Sequence, residues 1–109
     1  MKAFLLSALL ILITPLMAEA HGDHGIISGQ KAISIANASI KRLAFKDFGF
    51  EVGKLDESWK SISKDALNVV DVKAGFYVVS ANNETANKTI YLQIRYDGRV
   101  LDVRANNRF

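Results

Sequence analysis

Both histidines of the chain fall in one short stretch, His21-Gly22-Asp23-His24-Gly25, which makes it the most chemically distinctive segment. Imidazole nitrogens suit Cu(II), Ni(II) or Zn(II). If the polypeptide is cleaved just before His21, the α-amine and ring nitrogen of that residue can chelate one ion, with Asp23 and His24 close enough to complete the set. Reference pKa values of about 6.5 for imidazole and about 7.7 to 8.0 for an α-amine leave the rings mostly neutral near pH 7. Protons therefore compete only modestly. The opposing consideration is entropic, because ligands on a short Gly-rich segment with nothing to bury must be ordered by the ion itself. The plain alternative is a solvated chain start.

Catalytic chemistry finds less support. Cysteine is absent, so a Ser–His arrangement would need the histidine segment to fold back onto a serine. Asp47, Glu51, Asp56, Glu57, Asp65 and Asp71 show no spacing that singles out a working pair of carboxylates. No phosphate-cradling Gly-rich motif occurs. The expectation is a non-enzymatic protein with no cofactor beyond a copper, zinc or nickel ion at His21, Asp23 and His24.

Composition bounds the partners. The 109 residues are 50% hydrophobic and carry a formal net charge of +3, and the basic residues are interspersed with acidic ones rather than gathered into a run. A nucleic-acid partner is not expected. Met1-Lys2, an apolar run from Ala3 to Ile13, Pro15 and the small-residue site Ala18-Glu19-Ala20 have the three-part form of a secretory signal peptide, cleaved after Ala20. The run is too short to span a bilayer, so no stable membrane anchor is expected after cleavage. Export through the Sec pathway in a chain without cysteine points to the periplasm. Residues 1–20 are thus read as signal peptide, 21–27 as a flexible His-containing tail, and 28–109 as one domain.

The elements of that domain follow from periodicity. Ser28 is a plausible N-cap for a helix to about Ala44, with Ile33, Ala36, Ile40 and Leu43 on one stripe, broadened by Ala32 and Ile35. Phe45 to Gly53 breaks into a loop or short strand with three Phe as aromatic anchors. Asp56 caps a short helical turn carrying Leu55, Trp59 and Ile62, and Trp59 is read as a core residue rather than a binding aromatic. Two strands, Ala66 to Val72 and Phe76 to Ala81, form one hairpin. Residues 82–88 read as an exposed loop, and the N-x-S/T triplets at Asn37, Asn83 and Asn87 as chance.

The clearest signal is TIYLQIRYDGRVLDVRA, from Thr89 to Ala105. Alternation puts Ile90, Leu92 and Ile94 on one face, and Asp97-Gly98 predicts a two-residue type I′ turn with Tyr96 facing Arg99. That register pairs Ile94 with Leu101, Leu92 with Val103 and Ile90 with Ala105. On the opposite face it pairs Tyr91 with Arg104 and Gln93 with Asp102, leaving Arg95 beside Val100. Tyr91 and Arg104 become the candidate contacts for a protein or peptide, although an ordinary wet sheet face looks the same. The fold class is α+β: one amphipathic helix and a short helical turn packed on a four-stranded antiparallel sheet.

Two motifs, ISGQKAISIANASI at the start of the domain and YDGRVLDV near its end, resemble the PepSY type of module. Over its whole length, with HGDHG, GFEVGKLDESWKSI and FYVVSANNE, the chain resembles the small exported bacterial family known as domain of unknown function 6488. The PepSY resemblance implies a module that binds or restrains a partner in the cell envelope, and it supplies no catalytic residue. Two functions are therefore expected as alternatives: a periplasmic PepSY-like binding or regulatory module for an envelope protein or peptide, and a periplasmic metal-binding protein using His21, Asp23 and His24.

Overall fold

The computed structural model describes residues 25–109. Helix α1 spans Gly29–Leu43, and its N-cap Ser28 accepts the Lys31 N–H at 3.0 Å, satisfying one of the free donors at a helix start. The stripe it buries is Ala32, Ala36, Ser39, Ile40 and Leu43, with Ile33 and Ile35 half-buried at its margins. Alanines at its centre let the helix backbone approach the sheet closely. The buried Ser39 hydroxyl donates to the Ile35 carbonyl at 2.8 Å, so it adds no unpaired polar group.

Two short 3-10 turns, Glu57–Ser61 and Lys64–Ala66, lead into four strands: β1 Leu67–Lys73, β2 Phe76–Asn83, β3 Lys88–Arg95 and β4 Val100–Arg104. They form an antiparallel meander in chain order. The α+β arrangement expected from the sequence is the one observed. One sheet face, carrying Leu67, Val79, Ala81, Ile90, Leu92, Ile94 and Val103, joins α1 and Trp59 in a single buried cluster. Trp59 is 2% exposed, as a core residue should be.

The last hairpin departs from the expected register near its turn. Tyr91–Arg104, Leu92–Val103 and Gln93–Asp102 pair as expected, but Ile94 lies opposite Val100, because the ladder shifts between Gln93 and Ile94. Leu101 is the extra residue and is 38% exposed. The cause lies in the turn. Asp97 does not adopt the positive φ that a type I′ turn requires; only Gly98 does, at 94°. Gly98 N–H donates to the Arg95 carbonyl, and Arg95 N–H to the Arg99 carbonyl, both at 2.8 Å. Arg99 therefore faces Arg95, not Tyr96, across a three-residue loop with glycine in the left-handed position. Asp97 favours this geometry by accepting the Arg99 N–H at 3.1 Å and by pairing with the Arg95 guanidinium. That guanidinium, followed by the Arg99 N–H, holds the Asp97 carboxyl below the usual carboxylate range. The bulge at Leu101 then absorbs the extra turn residue, which restores the original register from Gln93 onward.

Further differences follow from side-chain chemistry. Ladder pairing ends at Tyr91–Arg104, so Ile90 does not meet Ala105, which is exposed. Of the three expected aromatic anchors only Phe50 packs on the core; Phe45 is 70% and Phe48 47% exposed. Their rings lie against Lys60 and Lys46 ammonium groups, 4.4 and 5.2 Å from the ring centroids. The loop is fastened through its backbone instead: Leu55 N–H donates to the Leu43 carbonyl at 2.9 Å and Val52 N–H to the Val103 carbonyl at 3.3 Å.

Strands β2 and β3 run further than the polar composition of residues 82–88 suggested, pairing out to Asn83–Lys88. Buried Asn83 closes that end: its amide donates to Ser58 Oγ at 2.9 Å, and its Oδ1 accepts the Ala86 N–H at 3.1 Å. At the other end Ile27 N–H donates to the Tyr96 carbonyl, and the Tyr77 hydroxyl to the Ile27 carbonyl, each at 2.8 Å. Ordered packing thus begins at least one residue before the Ser28 cap.

Candidate functional site

The face of the sheet turned away from α1 carries the residues expected to meet a partner. Two rows cross all four strands. Asn68, Ser80, Tyr91 and Arg104 form one, and Asp71, Val78, Gln93 and Asp102 the other. Tyr91 and Arg104 are direct cross-strand neighbours, as the register required. Arg104 Nε donates to Asp102 Oδ2 at 2.6 Å, from two positions along the same strand. Both groups are partly exposed, so the pair orients the guanidinium more than it stabilises the fold.

Val78 changes the meaning of this face. It is 0% exposed although it stands outside the helix-side cluster, between Asp71 and Gln93. The segment Ala105–Phe109 follows β4, and past Ala105, whose N–H donates to Glu51 at 3.4 Å, it returns across this face. Asn107 Nδ2 donates to Asp71 Oδ2 on the far edge strand at 2.7 Å. Arg104 Nη1 donates to the Arg108 carbonyl at 2.5 Å, and the Arg104 guanidinium lies 5.0 Å from the Phe109 ring centroid. The segment is a strap pinned by side chains, not a fifth strand. Beneath it, Asn106 Oδ1 is buried with no donor among the described residues, which makes the strap an imperfect occupant of its own seat.

The sheet edges are less inviting to a partner than this face. Val70 bulges out of β1 and Leu101 out of β4, and the Val103 carbonyl on the open side of β4 is taken by Val52. Bulges and a covering loop are the usual means of blocking strand addition. The bulges were not legible because each arises from a local turn or packing choice that leaves the alternation almost intact. The strap is not legible for a simpler reason: NNRF has no periodicity, and its hold depends on Arg104 just before it and on Asp71 three strands away.

The metal-ligand candidates His21, Asp23 and His24 lie outside the described residues. Among the described residues no group of three or more His, Cys, Asp or Glu side chains gathers, and no helix is long and apolar enough to cross a membrane.

No curated protein and no solved structure is significantly similar to this chain. A family model matches residues 1–108, nearly its full length, and the protein therefore belongs to a family of unknown function (DUF6488).

Proposed function

We propose that the protein acts by binding rather than by catalysis, as a periplasmic PepSY-like module that holds an extended segment of an envelope protein or peptide on its outer sheet face. The observation that carries this reading is the strap: residues of the chain's own polypeptide past Ala105 already lie on that face, Asn107 held by Asp71 and Arg108 and Phe109 by Arg104, where Val78 is fully buried. A surface that accepts one extended segment through side-chain contacts can accept another. The unpaired Asn106 acceptor supports exchange, since release of the strap returns that oxygen to water and recovers its lost hydrogen bond. The two PepSY-like motifs fall on α1 and on the last turn and strand, the helix-plus-meander frame that presents the face.

The test compares the whole protein with a form ending at Ala105 and with Tyr91→Ala and Arg104→Glu. A labelled synthetic peptide, ANNRF, should bind the shortened form and not the whole protein, and Arg104→Glu in the shortened form should weaken it at least about tenfold. Melting midpoints of the two point variants should stay within a few degrees of the parent, the behaviour of a contact surface rather than a core. Equal peptide binding by all forms, or none by any, removes this face as the binding surface.

A second reading rests on the pairing of both histidines with Asp23 in one four-residue stretch. In it the segment binds Cu(II), Zn(II) or Ni(II) once cleavage after Ala20 frees the His21 amine. Protein beginning at His21 should bind Cu(II) more tightly than protein beginning at Ile26, and more tightly than protein with one residue added before His21. The added residue keeps both rings but moves the α-amine away from His21, so this comparison isolates the chelate. Affinity should fall below about pH 6 as protons occupy rings and amine. Calorimetric titrations that give the same constant for all three, or none tighter than about 10 μM, rule the metal reading out.

A further inference from the structure

At the end of the domain opposite the Tyr96 turn, an open cleft of about 490 Å³ is bounded by Val52, Lys54, Leu55, Asp56, Trp59, by Lys88, Thr89 and Ile90 from β3, and by Ala105 just past β4. Its volume falls within the range of small-molecule sites. Leu55, Trp59 and Ile90 are core residues and form an apolar lining, while Lys54 and Lys88 are exposed at its margin.

Charge around this cleft is unbalanced. Asp56 is the one carboxylate in its lining, and it is already engaged: it caps the 3-10 turn at Glu57–Ser61, accepting the Ser58 hydroxyl and, at 2.9 Å, the Ser58 N–H. Those two bonds, hydroxyl first, hold its carboxyl below the usual range, with smaller help from the charges of Lys88 and Lys54. Ser58 Oγ is in turn fixed by the Asn83 amide at 2.9 Å, so the carboxylate cannot swing out toward a lysine without giving up both of its bonds to Ser58. Among the described residues the Lys88 ammonium makes no hydrogen bond or ion pair, and Lys54 Nζ reaches only the neighbouring Leu55 carbonyl, at 3.4 Å. A cleft of mixed lining, with a narrow apolar floor of nearly buried side chains and two ammonium groups without a carboxylate partner at its margin, is complementary to a molecule with an anionic head and a slender apolar body.

We infer that this cleft binds a single-chain amphipathic anion, its apolar chain against Leu55, Trp59 and Ile90 and its charged head between Lys54 and Lys88. Lysine reads charge rather than fork geometry, so carboxylate and phosphate monoester heads share the recognition chemistry. Ala105, where the strap begins, lies at the margin of the cleft, but Lys54, Lys88 and the apolar floor are not part of the strap-covered face, so failure here would leave that reading standing.

Trp59 is the only tryptophan in the chain and lines the cleft, so its fluorescence reports occupancy directly. Decanoate, decyl phosphate and uncharged decanol are titrated into the whole protein, with calorimetry alongside so that spectrally silent binding is not missed. At least one of the two anions should bind about tenfold or more tighter than decanol, and which one does so identifies the head group. The double variant Lys54→Gln/Lys88→Gln should lose about tenfold for that anion and nothing for decanol, while Lys31→Gln, on the exposed side of α1, changes neither. Raising salt should weaken the anion selectively. No binding by any probe up to about 5 mM overturns the assignment, as does an anion affinity that matches decanol or that survives the double substitution.

Discussion

Ile94→Asp leaves the domain unfolded at 25 °C, or so close to unfolding that its melting midpoint drops by tens of degrees. Ile94 is 0% exposed, paired on β3 with Tyr77 and Val100 and packed in the cluster beneath α1. Removing an aliphatic side chain from such a site costs about 2 to 5 kcal/mol, and an unpaired carboxyl in its place adds a desolvation penalty of several more. The sum rivals the whole stability of a small domain, about 5 to 15 kcal/mol. The informative partner is Leu101→Asp. A two-residue turn would put Leu101 opposite Ile94 and facing inward, whereas the bulge leaves it 38% exposed and unpaired. Leu101→Asp should therefore cost less than about 1 kcal/mol in urea titration. Comparable losses for the two would mean that the bulge is absent and the simple register correct; a stable Ile94→Asp would mean that the inward face has been misassigned.

Trp59→Ala is expected to lower stability by about 3 to 5 kcal/mol, the usual consequence of deleting a large buried aromatic. Its setting favours the upper half of that range. Trp59 sits in a five-residue 3-10 turn, an element too short to hold itself together, so the turn keeps its place through this one buried side chain and the Asp56 and Asn83 bonds. The vacated volume would also merge with the adjoining cleft instead of being filled by collapse of the core. Urea-induced unfolding followed by far-ultraviolet dichroism provides the measure, and a loss under about 1 kcal/mol would show that Trp59 is peripheral to the fold.

Much of this architecture is legible in the residues because local preference and burial agree there. Ser28 announces α1, and alternation from Thr89 to Arg95 announces β3 with the correct inward face. What escaped was settled by competition between near-equal local choices. Asp97-Gly98 suits a two-residue turn, yet an Asp that can bond Arg99 and pair with Arg95 favours a three-residue loop. Phe45 and Phe48 look like anchors by type, but the adjacent lysines give their rings a partner without burial. Of the candidate sites, Tyr91 and Arg104 stand opposite each other as expected, but by compensation: the bulge at Leu101 offsets the loop that is one residue longer than the assumed turn. Lys54 and Lys88, far apart in sequence and ordinary in type, gave no signal until the fold placed both at one cleft.

The strap over the outer face also sets a threshold. Because Ala105–Phe109 is tethered to β4, it competes at an effective local concentration in the millimolar range, far above that of any free peptide. An incoming segment sees only the fraction of molecules whose face is uncovered, and its apparent dissociation constant is the intrinsic one divided by that fraction. With about one molecule in ten uncovered, a partner of about 1 μM intrinsic affinity behaves as one of about 10 μM. On the proposed reading, scarce or weakly matched segments would thereby be ignored, and the protein would engage when a partner accumulates or is itself held nearby.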